Sequence, residues 1–407
     1  MLSQDAIENL IQPIIDRQEA INNYVINTIA DRINDIGKLL PSDVHKLERI
    51  LKSGSDVKRI NSELARLTGL QVQQIKKLIK VVALDVYLDA KPYYDYRHIS
   101  YVPFIKNVEL QRVVNAVANQ TAGEYVNLSK SMAFMTRDPQ NPKVLRPTSI
   151  AKTYQQTIDK AIQATQQGTI DYNTAMHQSI KDLVDSGIRY VKYNPESGRR
   201  YTQRLDTAVR RNILDGVRAI NQECQNEIGK QIEADGKEIS VHICPAPDHQ
   251  FVQGHVFTNE QFDKMQNGED TVDVQGRHYT GFDRSIGTLN CRHFTYSVII
   301  GLYKPNYSDE QLKDILDKNE RGYTLPNGKH LTLYECTQRQ RQLETQIRIM
   351  KDGQIAAKRA GNMDLAREYQ AKVDRYVNDY KQFSKACGLS EKRSKMSVAG
   401  YRKIAKK

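Results

Sequence analysis

Histidine and cysteine are concentrated in one short part of this sequence, although the chain of 407 residues holds only nine histidines and five cysteines. The stretch HICPAPDHQFVQGHVFT begins at His242, and TLNCRH ends at His293. Imidazole and thiolate groups are ligands that zinc prefers, and four of them in a tetrahedral set make a closed structural site. The predicted set is His242, His249, Cys291 and His293. Because Cys291 and His293 are two residues apart, an extended backbone places both side chains on one face.

The same residues allow other interpretations, which stay open at the level of sequence. Without a metal, the histidines can hydrogen-bond backbone carbonyls in a loop-rich core. A cysteine beside a histidine can act as a nucleophile, which would make the protein a hydrolase that uses Cys244, or Cys291 with His293. A metal nuclease of the His-Asn-His type would use His278, Asn290 and His293, but the usual adjacent His/Asp dyad is missing. The chain also has no G-x-x-x-x-G-K-[ST] loop, which argues against a motor driven by nucleotide hydrolysis. We therefore predict that the protein is not an enzyme.

The elements that position this region change in character near residue 236. Before it, apolar residues three and four apart predict long helices, at residues 3–38, 149–167, 172–190 and 201–234. After it, KEISVHIC predicts a strand, and Thr258 and Ser308 open capping boxes at the starts of two helices. The dipeptide Asn327–Gly328 predicts a hairpin turn, and a long charged helix or helical hairpin follows from Glu335. The expected fold is mainly α with a small α+β module.

Five consecutive regions follow from these changes. They are an extended helical N-terminal region (1–135), a proline-rich linker (136–148), a helical region (149–236), the α+β module that bears the His/Cys set (237–334), and a basic C-terminal tail with long helices (335–407).

Positive charge is concentrated at the C-terminal end. The net charge is +12, and residues 341–407 hold 17 Lys and Arg against 7 Asp and Glu. Such a segment can approach DNA or an acidic protein surface. The candidate contact residues are Lys392, Arg393, Lys395, Arg402, Lys403, Lys406 and Lys407. If these residues serve binding alone, deletion of residues 384–407 should leave folding intact.

A second segment suggests DNA binding. Residues 56–80 resemble a helix-turn-helix, in which Gly69 separates two helices and the second helix, from Gln71, enters the DNA groove. That helix offers Lys76, Lys77 and Lys80 for phosphate contacts but no arginine to read guanine. The alternative interpretation is an ordinary helical hairpin that does not bind DNA.

Targeting and redox signals are sparse. No run of residues is long and apolar enough to span a membrane, and the N-terminus has no basic region followed by an apolar core. An odd number of widely spaced cysteines favours a reducing compartment over a disulfide framework.

Several stretches, taken in order, resemble the phage minor capsid protein 2 family, relatives of the Mu F-like head-morphogenesis proteins of tailed phages. They are IENLIQPIIDRQEAINNYVINTIADRI, RRNILDGVRAINQ, HICPAPDHQFVQGHVFT, GTLNCRHFTYSVIIG and LYECTQRQRQLETQIRIMKDGQIAAKRAG. The signature residues that this resemblance carries over are His242, His249, Gln253, Gly254, Asn290, Cys291, Arg292 and His293. The Mu F-like relatives tend to have cysteine pairs where this chain has histidines.

The resemblance implies a minor structural protein of the virion, present in host cytoplasm during assembly and in the phage head afterwards. Its expected partners are the portal protein, other head proteins and packaged DNA. Its expected role is head assembly at the portal vertex, extending in some relatives to DNA packaging or ejection. Zinc is the one cofactor that the His/Cys set suggests.

Overall fold

A computed structural model describes residues 4–38, 54–138, 140–166, 172–193, 200–274, 277–288, 291 and 293–404. The chain forms two compact units, each built from segments that are far apart in sequence. The first unit comprises residues 1–12, 73–124 and 210–339, and the second comprises residues 13–72, 125–209 and 340–407. These units differ from the consecutive regions expected from the sequence.

Helices dominate the described residues, so the predicted mainly α class is confirmed. The helices are α1 (Gln4–Ile36), α2 (Ser55–Asp89), α3 (Lys91–Tyr96), α4 (Val108–Lys130), α5 (Ile150–Gln166), α6 (Tyr172–Ser186), α7 (Leu205–Gln231), α8 (Asn259–Gln266), α9 (Asp309–Arg321), α10 (Leu333–Arg359) and α11 (Met363–Ala386). None of these helices is long and apolar enough to cross a membrane.

The helix-turn-helix prediction is wrong, because α2 runs without a break through Gly69. A helical glycine costs about 1 kcal/mol relative to alanine, a penalty that packing can override. Buried apolar residues lie on both sides of it, Ile60 and Leu64 before and Ile75 and Ile79 after. A single helix cannot place a separate recognition helix in a DNA groove.

A four-stranded antiparallel sheet lies in the second unit, and the sequence analysis missed it. Its strands are β1 (Met132–Arg137), β2 (Leu145–Ser149), β3 (Arg189–Tyr193) and β4 (Arg200–Arg204), in the order β2-β1-β3-β4. The predicted linker, residues 136–148, lies largely within the β1–β2 hairpin, where Thr136 pairs with Arg146. The predicted helices 172–190 and 201–234 were too long, since β3 and β4 occupy their ends nearest the sheet.

The first unit contains the predicted α+β module. Its strands are β5 (Gly236–Ile239), β6 (Val256–Thr258), β7 (Thr271–Val274), β8 (Arg277–Tyr279), β9 (Thr295–Val298), β10 (Tyr323–Thr324) and β11 (His330–Leu331). The central sheet has the order β6-β5-β9 and is antiparallel throughout. Beside it, an apolar core includes Ile239, Phe257, Phe262, Met265 and Cys291.

Local sequence patterns correctly predicted the helix starts of this module and the position of its hairpin. Both capping boxes are present, at Thr258 before α8 and at Ser308 before α9. The predicted hairpin is β10–β11, but its turn is longer than Asn327–Gly328 alone. Leu325 N donates to Lys329 O at 2.9 Å, and Gly328 takes a positive φ of 82° inside that loop.

The C-terminal helices form the predicted hairpin, but the segment after α11 packs instead of extending freely. Met396 and Val398 are buried, and Met396 belongs to an apolar cluster with Leu343 and Tyr380. Lys351 Nζ also donates to the Met396 carbonyl at 2.6 Å. The expectation that residues 384–407 can be removed without harm to folding is therefore wrong.

The predicted DNA-contact residues of this segment differ in their surroundings. Lys392, Arg393, Arg402 and Lys403 are exposed and Lys395 is half-buried. Lys403 forms an ion pair with Asp374, with Nζ and Oδ1 2.9 Å apart. Lys406 and Lys407 lie outside the described residues.

Candidate metal centre

Two loops at one end of the central sheet bring the predicted ligands together. The first loop follows β5 and carries His242 and His249, and the second precedes β9 and carries Cys291 and His293. Ser240 joins the loops, because its backbone N–H donates to the Phe294 carbonyl and its Oγ accepts from the Phe294 N–H, both at 2.9 Å. The antiparallel pairing of β5 with β9 thus sets the distance between the two halves of the cluster.

Three of the four predicted ligands form one compact group. Cys291 Sγ lies 3.3 Å from His249 Nδ1 and 3.5 Å from His293 Nδ1. The ligand atoms of these three residues all lie within 4.8 Å of one another. All three residues are buried, with Cys291 only 2% exposed.

His242 lies beside this group rather than in it. Its ring centroid is 4.5 Å from that of His293, and its backbone N–H donates to Gln253 Oε1 at 2.8 Å. The side chain of His242 is buried as well. The structure therefore places a fourth imidazole next to the cluster, with its backbone fixed.

A hydrogen bond at the second ring nitrogen, Nε2, orients the His249 side chain. Nε2 lies 2.6 Å from the Arg284 carbonyl, and because a carbonyl only accepts, Nε2 must carry the hydrogen. The Asp248 carboxylate lies 3.7 Å from the same nitrogen and pairs with Arg284 at 2.6 Å. Nδ1 is left facing the Cys291 sulfur. This arrangement is typical of a metal-ligating histidine, whose other ring nitrogen usually donates to a carbonyl or carboxylate.

The cluster favours a charged Cys291. Burial opposes ionisation, but the hydrogen bond to His249 and the positive charge of that ring lower the pKa of Cys291 below its ordinary value. Burial likewise acts against a protonated His249, but Cys291 and Asp248 raise the pKa of His249. Burial, followed by the positive charges of His242, His249 and Arg284, lowers the pKa of His293. The surroundings therefore shift Cys291 toward its thiolate form and His293 toward its neutral form.

His293 carries a buried nitrogen that has no hydrogen-bond partner among the described residues, the Nε2 atom. An unpaired polar atom in the interior costs about 1–3 kcal/mol unless something compensates it. An ion bound at Nδ1, the nitrogen next to the Cys291 sulfur, would leave Nε2 as the protonated nitrogen of the ring.

The distances of the compact group suit zinc. Zinc bonds of about 2.3 Å to sulfur and about 2.0–2.1 Å to nitrogen, at a tetrahedral angle, separate the sulfur and nitrogen by about 3.6 Å. The observed separations of 3.3 and 3.5 Å are close to that value. Cys291 and the two histidines fit three positions of a tetrahedral site, and His242 is the nearest imidazole for the fourth.

Arg218 of α7, which was not among the predicted site residues, binds the loop that carries Cys291. Its guanidinium donates to the Cys291 carbonyl and to the Asp215 carboxylate. Burial lowers the pKa of Arg218 to about 10. The sequence analysis missed this residue, although the spacing of Asp215 and Arg218 in DGVR marked an ion pair on one helix face.

Two of the signature residues have structural roles next to the cluster. Gln253 is buried and accepts the His242 backbone hydrogen bond. Gly254 donates from its backbone N–H to the Ile239 carbonyl at 2.7 Å and takes a φ of 75°. A Cβ there would lie 2.5 Å from Leu312 Cδ2, so only glycine fits without movement. Asn290 and Arg292 lie outside the described residues.

The remaining histidines and the catalytic alternatives have less support. His278 is exposed, with its Nε2 3.8 Å from Asp270, and the His255 ring lies 6.1 Å from Tyr279. His278 and the buried His293 therefore have very different surroundings. A nucleophilic Cys291 would need access for a substrate, which its burial denies, and Cys244 is half-buried.

The second unit contains another buried polar cluster, made of opposite charges. Arg348 Nε lies 2.7 Å from Glu19 Oε1, and its Nη2 lies 3.4 Å from Asp206 Oδ2. Arg204 lies 3.5 Å from the same aspartate, and Asp352 lines the same small cavity. Burial raises the pKa of Glu19 to about 8 and that of Asp352 to about 7. Three carboxyl groups thus share two guanidinium groups.

One known protein family matches most of the chain. A family model described as phage minor capsid protein 2 matches residues 2–385. No curated protein and no solved structure matches the chain.

Proposed function

Because the chain belongs to the phage minor capsid protein 2 family, a structural component of the phage head, we propose a finer role for it. It sits at the portal vertex during head assembly, and its α+β module is held together by one zinc ion. The proposed ligands are His249, Cys291 and His293, with His242 in the fourth position. The observation that carries the zinc proposal is the compact buried group, with its sulfur 3.3 and 3.5 Å from two imidazole nitrogens.

The proposed zinc is structural and not catalytic. Catalytic zinc sites keep an open position for water or substrate, whereas structural sites are closed. All four residues are buried here, and a fourth imidazole stands beside the other three ligands. Zinc would join the loop after β5 to the loop before β9, and it would hold Cys291 as a thiolate. The protein on this proposal is not an enzyme.

Metal analysis of the full-length protein, purified without a chelator, tests the zinc proposal. We expect about one zinc per chain, lost in His249→Ala and in Cys291→Ala. His278→Ala is the matched control, because this exposed histidine of the same module should not affect the metal content. Metal-free wild-type protein, or equal zinc in all three variants, would refute the zinc proposal.

Cross-linking of purified procapsids, followed by mass spectrometry, tests the position at the portal vertex. We expect cross-links from this chain to the portal protein in wild-type particles. Particles that contain the chain but cross-link it only to the major capsid protein would contradict the portal position and leave the zinc proposal standing.

Contact with packaged DNA is a separate proposal that now rests on the C-terminal segment alone. Exposed Lys392, Arg393 and Arg402 are its best candidates. Phosphate contacts predict that binding weakens steeply with salt. Replacing the three residues with alanine should reduce the salt dependence of DNA binding. Unchanged binding in this variant would exclude these residues as the contact, and no binding by the wild type at low salt would remove DNA from the list of partners.

A further inference from the structure

The last three turns of α2 carry apolar residues on all sides, interrupted only by Lys80 and Asp85. Within LIKVVALDVYL (78–88), Ile79, Val82, Ala83, Val86 and Tyr87 are buried. The exposed apolar residues between them are Val81, Leu84 and Leu88, at 40%, 38% and 54% exposure. A helix that is hydrophobic all round is typical of one packed on all sides. One face of this helix therefore lacks a partner within the described part of the chain.

A second exposed apolar segment lies beside the C-terminal end of the same helix. Tyr87 donates from its hydroxyl to the Val102 carbonyl at 2.8 Å, and Asn107 Nδ2 donates to that hydroxyl at 3.2 Å. These bonds hold the segment against the end of α2. Within it, Ile105 is 81% exposed and Val108 is 76% exposed. The segment that carries Ile105 and Val108 is thus attached at the end of α2 where Leu88 lies.

The spacing on α2 is that of a coiled-coil seam. Val81, Leu84 and Leu88 fall at the a, d and a positions of a heptad. Among parallel coiled coils, valine at a with leucine at d, as in Val81 and Leu84, favours two strands. Lys80 then falls at g and Asp85 at e. In a parallel pair, the g residue of one helix meets the e residue five positions later on the other. Lys80 and Asp85 have that separation and opposite charges, so the face is complementary to itself.

Lys80 is exposed and Asp85 is half-buried, and neither forms an ion pair with any residue that the structure describes. One oxygen of Asp85, Oδ2, is buried and has no hydrogen-bond partner there. An antiparallel pair would instead set g positions beside g positions, which brings lysine near lysine. The charges therefore select the parallel arrangement.

We propose that this face of α2 binds a second copy of the same chain, with the two helices parallel about a two-fold axis. Val81, Leu84 and Leu88 form the seam, and Lys80 pairs with Asp85 of the other copy on both sides. The parallel arrangement brings both copies of Ile105 and Val108 to the same end, where they extend the contact. Three side chains per copy are too few for a standard interface, so this extension is needed and the association is weak.

Disulfide trapping of the full-length chain tests the arrangement. In a parallel pair each a position faces its own copy, so Val81→Cys and Leu88→Cys should each give cross-linked dimers under mild oxidation. Lys313→Cys, at an exposed position of α9, is the matched control and corrects for the native cysteines. Cross-links that form only when the Val81 and Leu88 variants are mixed would overturn the parallel arrangement, and no cross-links above the control would overturn the interface.

Sedimentation velocity over a concentration series tests the charge pairing. Lys80→Glu and Asp85→Lys should each raise the dimer dissociation constant about tenfold, and the double variant should return it near the wild-type value. Leu84→Asp should leave the chain monomeric, and circular dichroism should show it folded because the residue is exposed. A double variant as weak as either single one, or a dimer that survives Leu84→Asp, would contradict the proposal.

Discussion

The two units each bury a polar cluster, and the clusters differ in the kind of atom they bring together. The first unit gathers one sulfur and imidazole nitrogens, with a carbonyl fixing the His249 ring. The second gathers carboxylates and guanidinium groups around a small cavity. Both clusters join segments that are distant in sequence. Both clusters contain buried polar atoms without a hydrogen-bond partner among the described residues, but only in the second do carboxylates pair with guanidinium groups inside the cluster itself.

The difference shows that burial of polar groups alone does not define a metal site. Soft donors at tetrahedral separations favour zinc. Carboxylates that already pair with arginines are poor metal ligands, and their excess negative charge is relieved most simply by a proton. We therefore expect the first cluster to respond to chelators and the second to respond to pH.

Removal of Cys291 should have the largest effect. Cys291→Ala is expected to lose the zinc and to lower the free energy of unfolding by on the order of 5 kcal/mol, because metal binding contributes directly to folding. A chelator should lower the thermal midpoint of the wild type and leave that of the variant unchanged. Cys224→Ala is the control, since this cysteine of α7 is equally buried but is not a ligand. Equal chelator sensitivity in the wild type and Cys291→Ala would contradict the zinc account.

Removal of the C-terminal segment should damage the second cluster and spare the first. Deletion of residues 391–407 removes buried Met396 and the Lys395 carbonyl, which accepts from Arg348 Nη1 at 2.8 Å. Loss of a buried methionine side chain alone costs about 2–5 kcal/mol. We expect denaturant unfolding to show a loss of about 3 kcal/mol or more, while zinc per chain stays constant. A truncated protein with wild-type stability would show that the segment does not pack in solution.

The second cluster should make the stability of the folded protein depend on pH. In the folded state the pKa of Glu19 is about 8, above that of an ordinary carboxyl group, because burial and then Asp206, Asp352 and Asp16 outweigh Arg348. The folded state therefore keeps a proton that the unfolded state loses, and stability falls as pH rises from about 4.5 to about 8.

Glu19→Gln should make that pH dependence shallower. Between pH 6 and pH 9 we expect the wild type to lose about 2 kcal/mol more than the variant, measured by urea unfolding. Asp364→Asn is the control, because its side chain is 95% exposed. The same slope in wild type and Glu19→Gln would mean that the cluster holds no proton at Glu19.

Removal of Arg218 should have the smallest effect. Arg218→Met keeps most of the packing and removes the donors to the Cys291 carbonyl and Asp215. Loss of an outer partner of a metal ligand typically lowers affinity about tenfold or more. Competition with a zinc-sensitive dye should show this weaker binding at unchanged stoichiometry. Asp215→Ala keeps the bond from Arg218 to the Cys291 carbonyl, so its zinc affinity should lie between those of the wild type and Arg218→Met. Unchanged zinc affinity in Arg218→Met would limit the role of Arg218 to packing.

Much of the first cluster could be predicted from sequence, because ligand types and the short Cys291–His293 spacing are local. The capping boxes and the C-terminal helical hairpin were predicted for the same reason. Arg218 was missed because its contact with the cysteine loop depends on how α7 packs, which no local pattern records. The distance between the two histidine loops is set by the pairing of β5 with β9 and needed the structure as well.

The main errors also have physical causes. Gly69 suggested a turn, but burial of the helix on both sides of it outweighs a weak local preference. The four-stranded sheet was missed because its short strands carry many arginines and polar residues, as in RYTQR of β4. The adjacent Tyr201 and Thr202 favour a strand, but the neighbouring helical periodicity obscured this short signal. The second cluster could not be expected from sequence, since Glu19, Asp206 and Asp352 come together only in the fold.

X-ray absorption at the zinc edge, on full-length protein purified without a chelator, tests the central claim most directly. The account predicts one sulfur at about 2.3 Å and three nitrogens at about 2.0–2.1 Å, with the sulfur signal lost in Cys291→Ala. A protein without zinc, or a zinc shell of oxygen and nitrogen alone, would contradict it.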